Sequence, residues 1–384
     1  MQVYLDNAAT TRLDSRVLAK MKPYLTNQYA NASSIHTPGQ VAYLELRRAK
    51  ERVAKLIGGE AEDVIFTASA TESNNFIIKG VARANRTEQR DKIIISAIEH
   101  PCVRESANEL AAEGFRVIVA PVNKEGIVTP AALKKLVDEK TILVSIMAVN
   151  NEIGTIQNIA ALSKIAHEQG AYFHTDAVQA VPYLELDVKR MGLDFVSLSA
   201  HKFYGPKGVG VAYINRQIKI KPLIIGGGQE DGYRAGTYNM PGIIGLTYAL
   251  ELAYKERTAY LRQITALRDY FWKKVKQEIP NVKLNGSATE RVPANLNLMF
   301  SLVEGEAILI DLSTKGISVS TGSACSAANL KSSPVLRAIG LDKNFLNSNI
   351  RFSLGRFNTK AEIDYTVKCL KETIKRLRSF SPIK

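Results

Sequence analysis

Between about residues 60 and 215, short runs of apolar and β-branched residues alternate with segments whose pattern is helical. The helical segments include ESNNFIIKGVARAN and IAALSKIAHEQG. Strands that are apolar throughout, with helices between them, are typical of a parallel sheet that is covered on both faces. The pattern therefore predicts an α/β domain with a mostly parallel seven-stranded sheet. Its predicted strands are VIFT (64–67), KIIISA (92–97), RVIVA (116–120), TILVSIMAV (141–149), AYFHT (171–175), DFVSLS (194–199) and VGVAYI (209–214).

The pattern changes after the last of these strands. Residues 241–279 predict a long helix that leaves the first domain. Beyond about residue 280 the pattern predicts an α+β region. Its predicted strands are NLNLMF and GISVS, and its last predicted helix lies around AEIDYTVKCLKETIKRLRS. We therefore expect a large domain over residues 15–260 and a smaller domain formed by residues 1–14 and 261–384. In this division the N-terminal arm packs with the C-terminal part.

Composition and charge narrow the class of protein. Hydrophobic residues make up 46% of the 384 residues and charged residues 23%, which is ordinary for a globular protein. No apolar run approaches the roughly 20 residues that cross a bilayer, and the N-terminal sequence lacks the features of a targeting segment. We expect a cytoplasmic protein that does not bind a membrane. The net charge of +14 favours acidic partners, but no nucleic-acid motif is present and no direct nucleic-acid binding is expected.

The three cysteines, Cys102, Cys325 and Cys369, form no CxxC pair, so neither a disulfide framework nor a zinc ribbon is indicated. Cys325 lies among small polar residues in SVSTGSACSAANLKSSP, which predicts a surface loop rather than a core position. Cys369 has the apolar neighbours of a core residue. Cys102 is interpreted as a packed or partly buried thiol.

Polar residues that follow the predicted strands are the main candidates for a site, because ligands of such sheets bind beyond the carboxyl ends of the strands. Lys202 follows one strand in SLSAHKFYGPKG, and burial would lower the pKa of its amine as a Schiff base requires. Asp176 follows another strand, where a carboxylate could pair with a protonated pyridine nitrogen. Taken alone, each residue has a simpler interpretation, as a turn lysine or a helix cap.

Further candidates converge on the same edge of the sheet. Ala70 and Thr71, between a strand and a helix, suit a phosphate dianion at a helix start, although capping alone would explain Thr71 and Glu72 equally well. There is no GxxxxGK[ST] motif, which excludes a P-loop NTPase. His100 and Asn151 also follow strands and could stack on a ring and bind an oxygen. Gln179 could donate to a phenolic oxygen.

Ten motifs, in order along essentially the whole chain, resemble those of fold-type I pyridoxal-phosphate enzymes of the class V aminotransferase group, and in particular of cysteine desulfurases of the NifS/IscS kind. They are YLDNAATT, NASSIH, ATESNN, EH, VNNEIG, HTDAVQ, SLSAHKFYGPKG, RAGTYN, GSACS and RFSLGR. The resemblance implies a fold-type I transferase with a pyridoxal 5'-phosphate cofactor.

The resemblance also assigns roles to the residues. Lys202 forms the Schiff base, His100 stacks on the ring, and Asp176, Gln179 and Asn151 tune it. The phosphate is held at Ala70 and Thr71, with Ser199 and His201. The enzyme is implied to be a homodimer, in which Thr237 of the GGGQEDGYRAGTYN loop completes the phosphate site of the neighbouring subunit.

The implied reaction takes sulfur from L-cysteine, leaves L-alanine and places a persulfide on Cys325. Arg351, together with Asn151, binds the substrate, because a guanidinium can clamp the α-carboxylate bidentately, and His100 acts as the acid/base. The sulfur then passes to an iron–sulfur scaffold protein or another acceptor, such as the machinery of tRNA thiolation. No metal site is indicated, save that Cys325 could ligate a cluster during transfer. Alternatives are a selenocysteine lyase, an aminotransferase of small amino acids, and a sulfur carrier without catalytic activity.

Overall fold

The computed structural model describes residues 1–321 and 332–380. Its largest element is a seven-stranded sheet in the order β2-β8-β7-β6-β5-β3-β4. Strand β8 is antiparallel to both of its neighbours, and the remaining pairs are parallel, which confirms the predicted mostly parallel sheet. The strands are β2 (Val64–Thr67), β3 (Lys92–Ser96), β4 (Arg116–Ala120), β5 (Thr141–Ser145), β6 (Tyr172–Asp176), β7 (Phe195–Ser199) and β8 (Gly210–Ile214).

The predicted strands match these within one residue at each end, except for the run 141–149. Strand β5 ends at Ser145. The chain nevertheless continues alongside β6, because the backbone N–H groups of Ile146 and Ala148 donate to His174 and Asp176. It then turns at Asn150, whose side chain accepts from two backbone N–H groups further along the chain. Asn151 therefore lies in a turn and not in the strand.

Helices cover both faces of the sheet, and alternate residues of a strand belong to different hydrophobic clusters. Ile94 of β3 packs in the cluster that contains residues of α2, α6 and α7, whereas Ile93 and Ile95 pack with α3 and α4. This two-sided burial explains why the strands are apolar throughout. The helices are α1 (Ser15–Thr26), α2 (Thr37–Ile57), α3 (Ala70–Asn85), α4 (Pro101–Ala112), α5 (Pro130–Lys134), α6 (Ile159–Glu168), α7 (Met240–Glu278), α8 (Gly305–Thr314), α9 (Pro334–Ala338) and α10 (Lys360–Ser379).

The C-terminal part has its own sheets and its own hydrophobic cluster. Strand β10 (Asn295–Phe300) pairs antiparallel with β9 (Val282–Leu284) and β12 (Asn349–Ser353). Strand β1 (Val3–Tyr4) pairs parallel with β11 (Ile317–Ser318), so the N-terminal arm does pack with this part of the chain.

Helix α7 joins the two regions. It has 39 residues, which corresponds to about 58 Å at 1.5 Å per residue. Its first half, from Met240 to Ala253, packs in the core of the large sheet, and its second half, from Tyr260 to Val275, packs in the C-terminal cluster. The domain boundary near residue 260 remains a prediction, and this change of packing partner supports it. None of the helices in the described part of the chain combines the length and apolar character needed to span a membrane.

Candidate active site

A cavity of about 280 Å³ lies at the carboxyl ends of the strands, where the sequence placed the site. It brings together most of the predicted residues: Ala70, Thr71, His100, Asn151, Asp176, Gln179, Ser199, His201, Lys202 and Arg351. Asp176 and Ser199 are the last residues of β6 and β7. Two further predicted residues are Thr237 and Cys325. Thr237 is exposed and does not line the cavity, and Cys325 lies outside the described residues.

Lys202 occupies the 3-10 turn Ala200–Lys202 that follows β7, and it is half-buried. Its Nζ donates to the backbone carbonyls of Ala8 and Ala9, at 2.6 and 2.8 Å. Gln179 Nε2 also donates to the Ala8 carbonyl, at 2.9 Å. Ala8 and Ala9 were not predicted as site residues from the sequence, although both lie in the YLDNAATT motif. The N-terminal arm therefore forms one wall of the site.

Asp176 is only 5% exposed and its carboxylate is held by two donors. Its Oδ1 accepts from the Val178 backbone N–H at 3.0 Å, and its Oδ2 accepts from Asn74 Nδ2 at 2.7 Å. Asn74 Nδ2 also donates to Cys102 Sγ at 3.1 Å. Sequence reasoning missed Asn74, which belongs to the ATESNN motif and is fully buried in α3. The carboxylate is thus fixed in one orientation.

The start of α3 provides a site for an anion. Ser69, rather than Thr71, is the capping residue: its side chain accepts from the Glu72 N–H, while Glu72 Oε2 accepts from the Ala68 N–H at 2.8 Å. The N–H groups of Ala70 and Thr71 have no acceptor within the helix and lie at the positive end of its dipole. This geometry suits a phosphate group.

His201 completes the same end of the cavity. Its Nδ1 lies 3.1 Å from Thr10 Oγ1. Burial, together with the charges of Lys202 and Lys207, lowers the pKa of His201 to about 4. The ring is therefore neutral at pH 7 and acts as a hydrogen-bonding group rather than as a cation.

His100 caps α4 through its own side chain. Its Nδ1 accepts from the Cys102 backbone N–H at 3.3 Å and lies 3.0 Å from Cys102 Sγ. Because Nδ1 is an acceptor, the proton of the neutral ring is on Nε2. Burial lowers the pKa of His100, although Asp176 opposes the effect. Burial also raises the pKa of Cys102 to about 12, so this residue is a neutral thiol, as its interpretation as a packed residue requires.

Arg351 lies on β12 at the other side of the cavity and is 3% exposed. Its Nη2 donates to Asp6 Oδ1 at 2.7 Å, and its Nη1 donates to the Asn151 carbonyl at 3.0 Å. Its backbone exchanges hydrogen bonds with Ser320, immediately before the segment that carries Cys325. Arg351 is therefore the residue that links the cavity to the base of the Cys325 segment.

The donor set of the cavity fits pyridoxal 5'-phosphate. The amine of Lys202 suits the aldehyde of the cofactor, and the oriented carboxylate of Asp176 suits its pyridine nitrogen. The helix N-terminus at Ala70 suits its phosphate. His100 supplies an aromatic ring on the same cavity wall. In residues 1–321 and 332–380, no group of three or more His, Cys, Asp or Glu side chains is arranged to hold a metal ion.

Comparison with known proteins agrees with this geometry. The family model described as aminotransferase class-V matches residues 3–366. A protein named cysteine desulfurase IscS, from Dictyoglomus turgidum, is 48% identical over 383 residues, which cover 100% of this chain and 97% of the relative. A solved structure titled NifS-like protein superposes with a TM-score of 0.93 at 38% identity and covers 98% of this chain and 100% of its own. A second, titled SspA in complex with cysteine, gives a TM-score of 0.82 at 34% identity, with 93% and 100% covered.

The chain therefore belongs to the aminotransferase class-V family of pyridoxal-phosphate-dependent enzymes. Within that family it groups with the cysteine desulfurases of the NifS/IscS kind. The family, the fold class and the cofactor predicted from the sequence motifs are confirmed.

A buried carboxyl group next to this site has no assigned role. Glu99 is 3% exposed, and its Oε1 accepts from the Ser96 hydroxyl at 2.6 Å and from the Met147 N–H at 2.8 Å. Its Oε2 is buried without a hydrogen-bond partner among the described residues. Burial raises the pKa of Glu99 to about 8, and the nearby negative charge of Asp176 adds to the effect. Glu99 is thus protonated in the folded protein at pH 7.

This protonation predicts a pH dependence of stability. An unfolded glutamate titrates near pH 4.5, so the stabilisation by Glu99 is complete below that pH and is lost as the pH rises through about 8. We expect the free energy of unfolding of the wild type, relative to Glu99→Gln, to fall by about 1 kcal/mol per pH unit between pH 6.5 and 8. Denaturant unfolding of both proteins over this pH range, at saturating cofactor, measures this change in the free energy of unfolding.

A second buried group changes the stability of both proteins at lower pH, and the comparison with Glu99→Gln removes its contribution. Burial lowers the pKa of His174 to about 3, so this residue destabilises the folded protein only when the unfolded chain takes up its proton, below about pH 6.5. The Gln variant keeps the shape of Glu99 but does not titrate. Parallel pH curves for wild type and variant would contradict the assignment.

Proposed function

We propose that this chain is a cysteine desulfurase that takes sulfur from L-cysteine, releases L-alanine and carries the sulfur as a persulfide on Cys325. The main observation that supports this proposal is that Lys202, Asp176 and Arg351 line the same cavity. The amine and the carboxylate suit the cofactor, while the guanidinium suits the carboxylate of an amino acid. The relatives named cysteine desulfurase and the similar structure titled as a complex with cysteine support this substrate.

Lys202, Asp176 and the start of α3, with Ser199 and His201, would hold pyridoxal phosphate. When bound, the cofactor supplies an electron sink for charge that develops at the substrate α-carbon. Lys202 acts as the base that removes the α-proton, since it is the amine at the site. Asn151 and Gln179 also line the cavity and are proposed to orient the bound molecules through their amide groups.

The sulfur step belongs to Cys325 and His100. The Cys325 thiolate attacks the substrate sulfur, an S–S bond forms, and the bond between carbon and sulfur breaks. The electron pair of that bond stays with the substrate carbon, which takes up a proton and becomes the methyl group of alanine. His100, with its proton on Nε2, is suited to move protons between the thiols and the substrate.

The attachment of the flanking residues supports the role of Cys325. Ser320 pairs with Arg351 through the backbone, and the Ser333 hydroxyl donates to Glu152 Oε2 at 2.6 Å. Glu152 is the neighbour of Asn151, which lines the cavity. Five residues of extended chain span at most about 17 Å. Position 325 is five residues beyond Ser320, so the length of the chain is compatible with a thiol that reaches the cavity wall.

A homodimer is part of the proposal. Large apolar side chains remain exposed around the start of α2 and in the loop that carries Thr237: Tyr29 is 82% exposed, Ile35 94% and Ile225 84%. A groove beside them is lined by the end of α1, the connection to α2 and the start of α2. A second copy of the chain would cover these residues and bring Thr237 to the phosphate site of its partner. Light scattering of the wild type and of Ile35→Glu tests this, and a wild-type monomer would refute it.

The proposal also names an acceptor for the sulfur and a location for the protein. An iron–sulfur scaffold protein or the machinery of tRNA thiolation is the proposed acceptor, with Cys325 as a possible cluster ligand during transfer. The net charge of +14 favours an acidic acceptor surface. Location in the cytoplasm stays a prediction.

The decisive experiment compares substrates on the purified holoenzyme. With L-cysteine and a thiol acceptor, we expect L-alanine and transferred sulfur in equal amounts. Selenocysteine, and alanine with a 2-oxoacid, are tested in parallel. Faster turnover of selenocysteine would identify a selenocysteine lyase, amino-group exchange would identify an aminotransferase, and absence of turnover with a bound partner would favour a sulfur carrier.

A further inference from the structure

The guanidinium of Arg351 is held from two directions by groups of the protein itself. Asp6 Oδ1 accepts from Nη2 at 2.7 Å, and the Asn151 carbonyl accepts from Nη1 at 3.0 Å. The third nitrogen, Nε, is buried and has no hydrogen-bond partner among the described residues. Because two nitrogens are fixed, the plane of the group is fixed.

Asp6 is itself fixed by the backbone. The Ser353 N–H donates to the Leu5 carbonyl at 2.7 Å, and the Asn7 N–H donates to the Ser353 carbonyl at 3.2 Å. Asp6 is thereby bridged in parallel to Ser353, two residues after Arg351 on the same strand. The carboxylate therefore reaches Arg351 from a rigid support and does not depend on a ligand for its position.

The contact between Asp6 and Arg351 is also an ion pair. A guanidinium that is almost completely buried requires a compensating charge, and Asp6 supplies it. Without Asp6, the Arg351 side chain would keep its charge but lose the partner that fixes its plane. A carboxylate ligand needs that plane, since it binds a guanidinium through two parallel hydrogen bonds.

We propose that Asp6 is a positioning residue that orients Arg351 for the α-carboxylate of the substrate, and so makes the site select amino acids over amines without a carboxylate. The inference rests on the proposed role of Arg351 in substrate binding. Asp6 does not touch the substrate and acts through Arg351 alone.

The test measures binding rather than turnover. L-alanine and L-alaninamide differ only in the carboxylate, and the absorbance of the holoenzyme reports the binding of each. The quantity compared is the ratio of their two dissociation constants. We expect Asp6→Ala to reduce the preference for L-alanine about tenfold, and Asp6→Asn, which keeps the acceptor oxygen, to recover most of it. The affinity for pyridoxal phosphate is expected to stay within about threefold of the wild type.

Asn7→Ala is the control for a merely structural role of the arm. Asn7 Nδ2 donates to the Ser353 carbonyl at 2.9 Å, so its removal loosens the arm without touching Arg351. The preference for L-alanine should survive this change even if the melting temperature falls. If Asp6→Ala does not fold, Asp6→Ser, whose hydroxyl is too short to reach Arg351, takes its place with the same expected loss.

The outcomes separate this inference from the proposed function. Arg351→Ala should abolish the preference for L-alanine. If it does, and the Asp6 variants keep the wild-type ratio, the positioning role of Asp6 is refuted and that of Arg351 stands. If Arg351→Ala keeps the preference, the role of Arg351 in substrate binding is wrong and the inference fails with it.

Discussion

Replacing Lys202 with alanine is expected to abolish the visible absorbance of the holoenzyme and to reduce the formation of alanine from cysteine by about 1,000-fold or more. The reason is that the amine of Lys202 has two proposed roles. It is the group placed to bind the cofactor covalently, and it is the proposed base for the α-proton. Lys202 is the only lysine among the described residues that line the cavity, so no other amine is placed to substitute for it. Spectra and alanine assays at saturating cofactor measure both effects.

Lys207→Ala is the matched control, because this lysine is exposed and lies in the same Gly/Pro-rich turn. Its spectrum and turnover should stay within about twofold of the wild type, since surface substitutions away from special features have small effects. Tight binding of pyridoxal phosphate by Lys202→Ala would still be compatible with the proposal, because α3 and Asp176 remain. A Lys202→Ala protein that keeps its visible band would contradict it.

Cys325→Ala is expected to have the second large effect, a complete loss of persulfide and of alanine formation with cysteine binding retained. The residues proposed to hold the cofactor do not include Cys325, so the spectrum of the holoenzyme and its change on addition of L-cysteine should survive. Mass spectrometry after exposure to cysteine should find one additional sulfur atom on the wild-type protein, located on Cys325, and none on the variant.

Cys102→Ala tests the specificity of that result. Cys102 lines the cavity, but burial raises the pKa of its thiol to about 12, which leaves it protonated and unreactive. The Cys102 variant should still form the persulfide. Additional sulfur on Cys102 rather than on Cys325 would overturn the division of roles, and loss of the visible band in Cys325→Ala would do the same.

Much of the large sheet could be predicted because its strands are buried on both faces and read as short apolar runs. The antiparallel direction of β8 was not specified, since an apolar strand has the same pattern in either direction. The end of β5 was placed four residues too late, because Ile146 to Val149 are as apolar and buried as the strand itself. The turn there is set by hydrogen bonds to the Asn150 side chain, which have no hydrophobic signature.

The candidate site was predicted best where a side chain with distinctive chemistry follows a strand, as at Lys202 and Asp176. It was predicted least well where main-chain groups form the site, or where a residue contacts the site only through another side chain. Ala8 and Ala9 contribute only carbonyl oxygens, which every residue type has. Asn74 is a polar residue inside a helix, and only the fold shows that it faces Asp176 rather than solvent. The partnership of Asp6 and Arg351 joins residues 345 positions apart.

That last separation has a consequence for biosynthesis. The arm that bears Asp6, Ala8 and Ala9 is translated long before its partners on β11 and β12. Until Arg351 has emerged, the side of the cavity that is proposed to bind the substrate carboxylate is incomplete, even if the large sheet has already folded. A complete site must therefore follow translation of Arg351, and translation products stalled before this residue should form no alanine from cysteine.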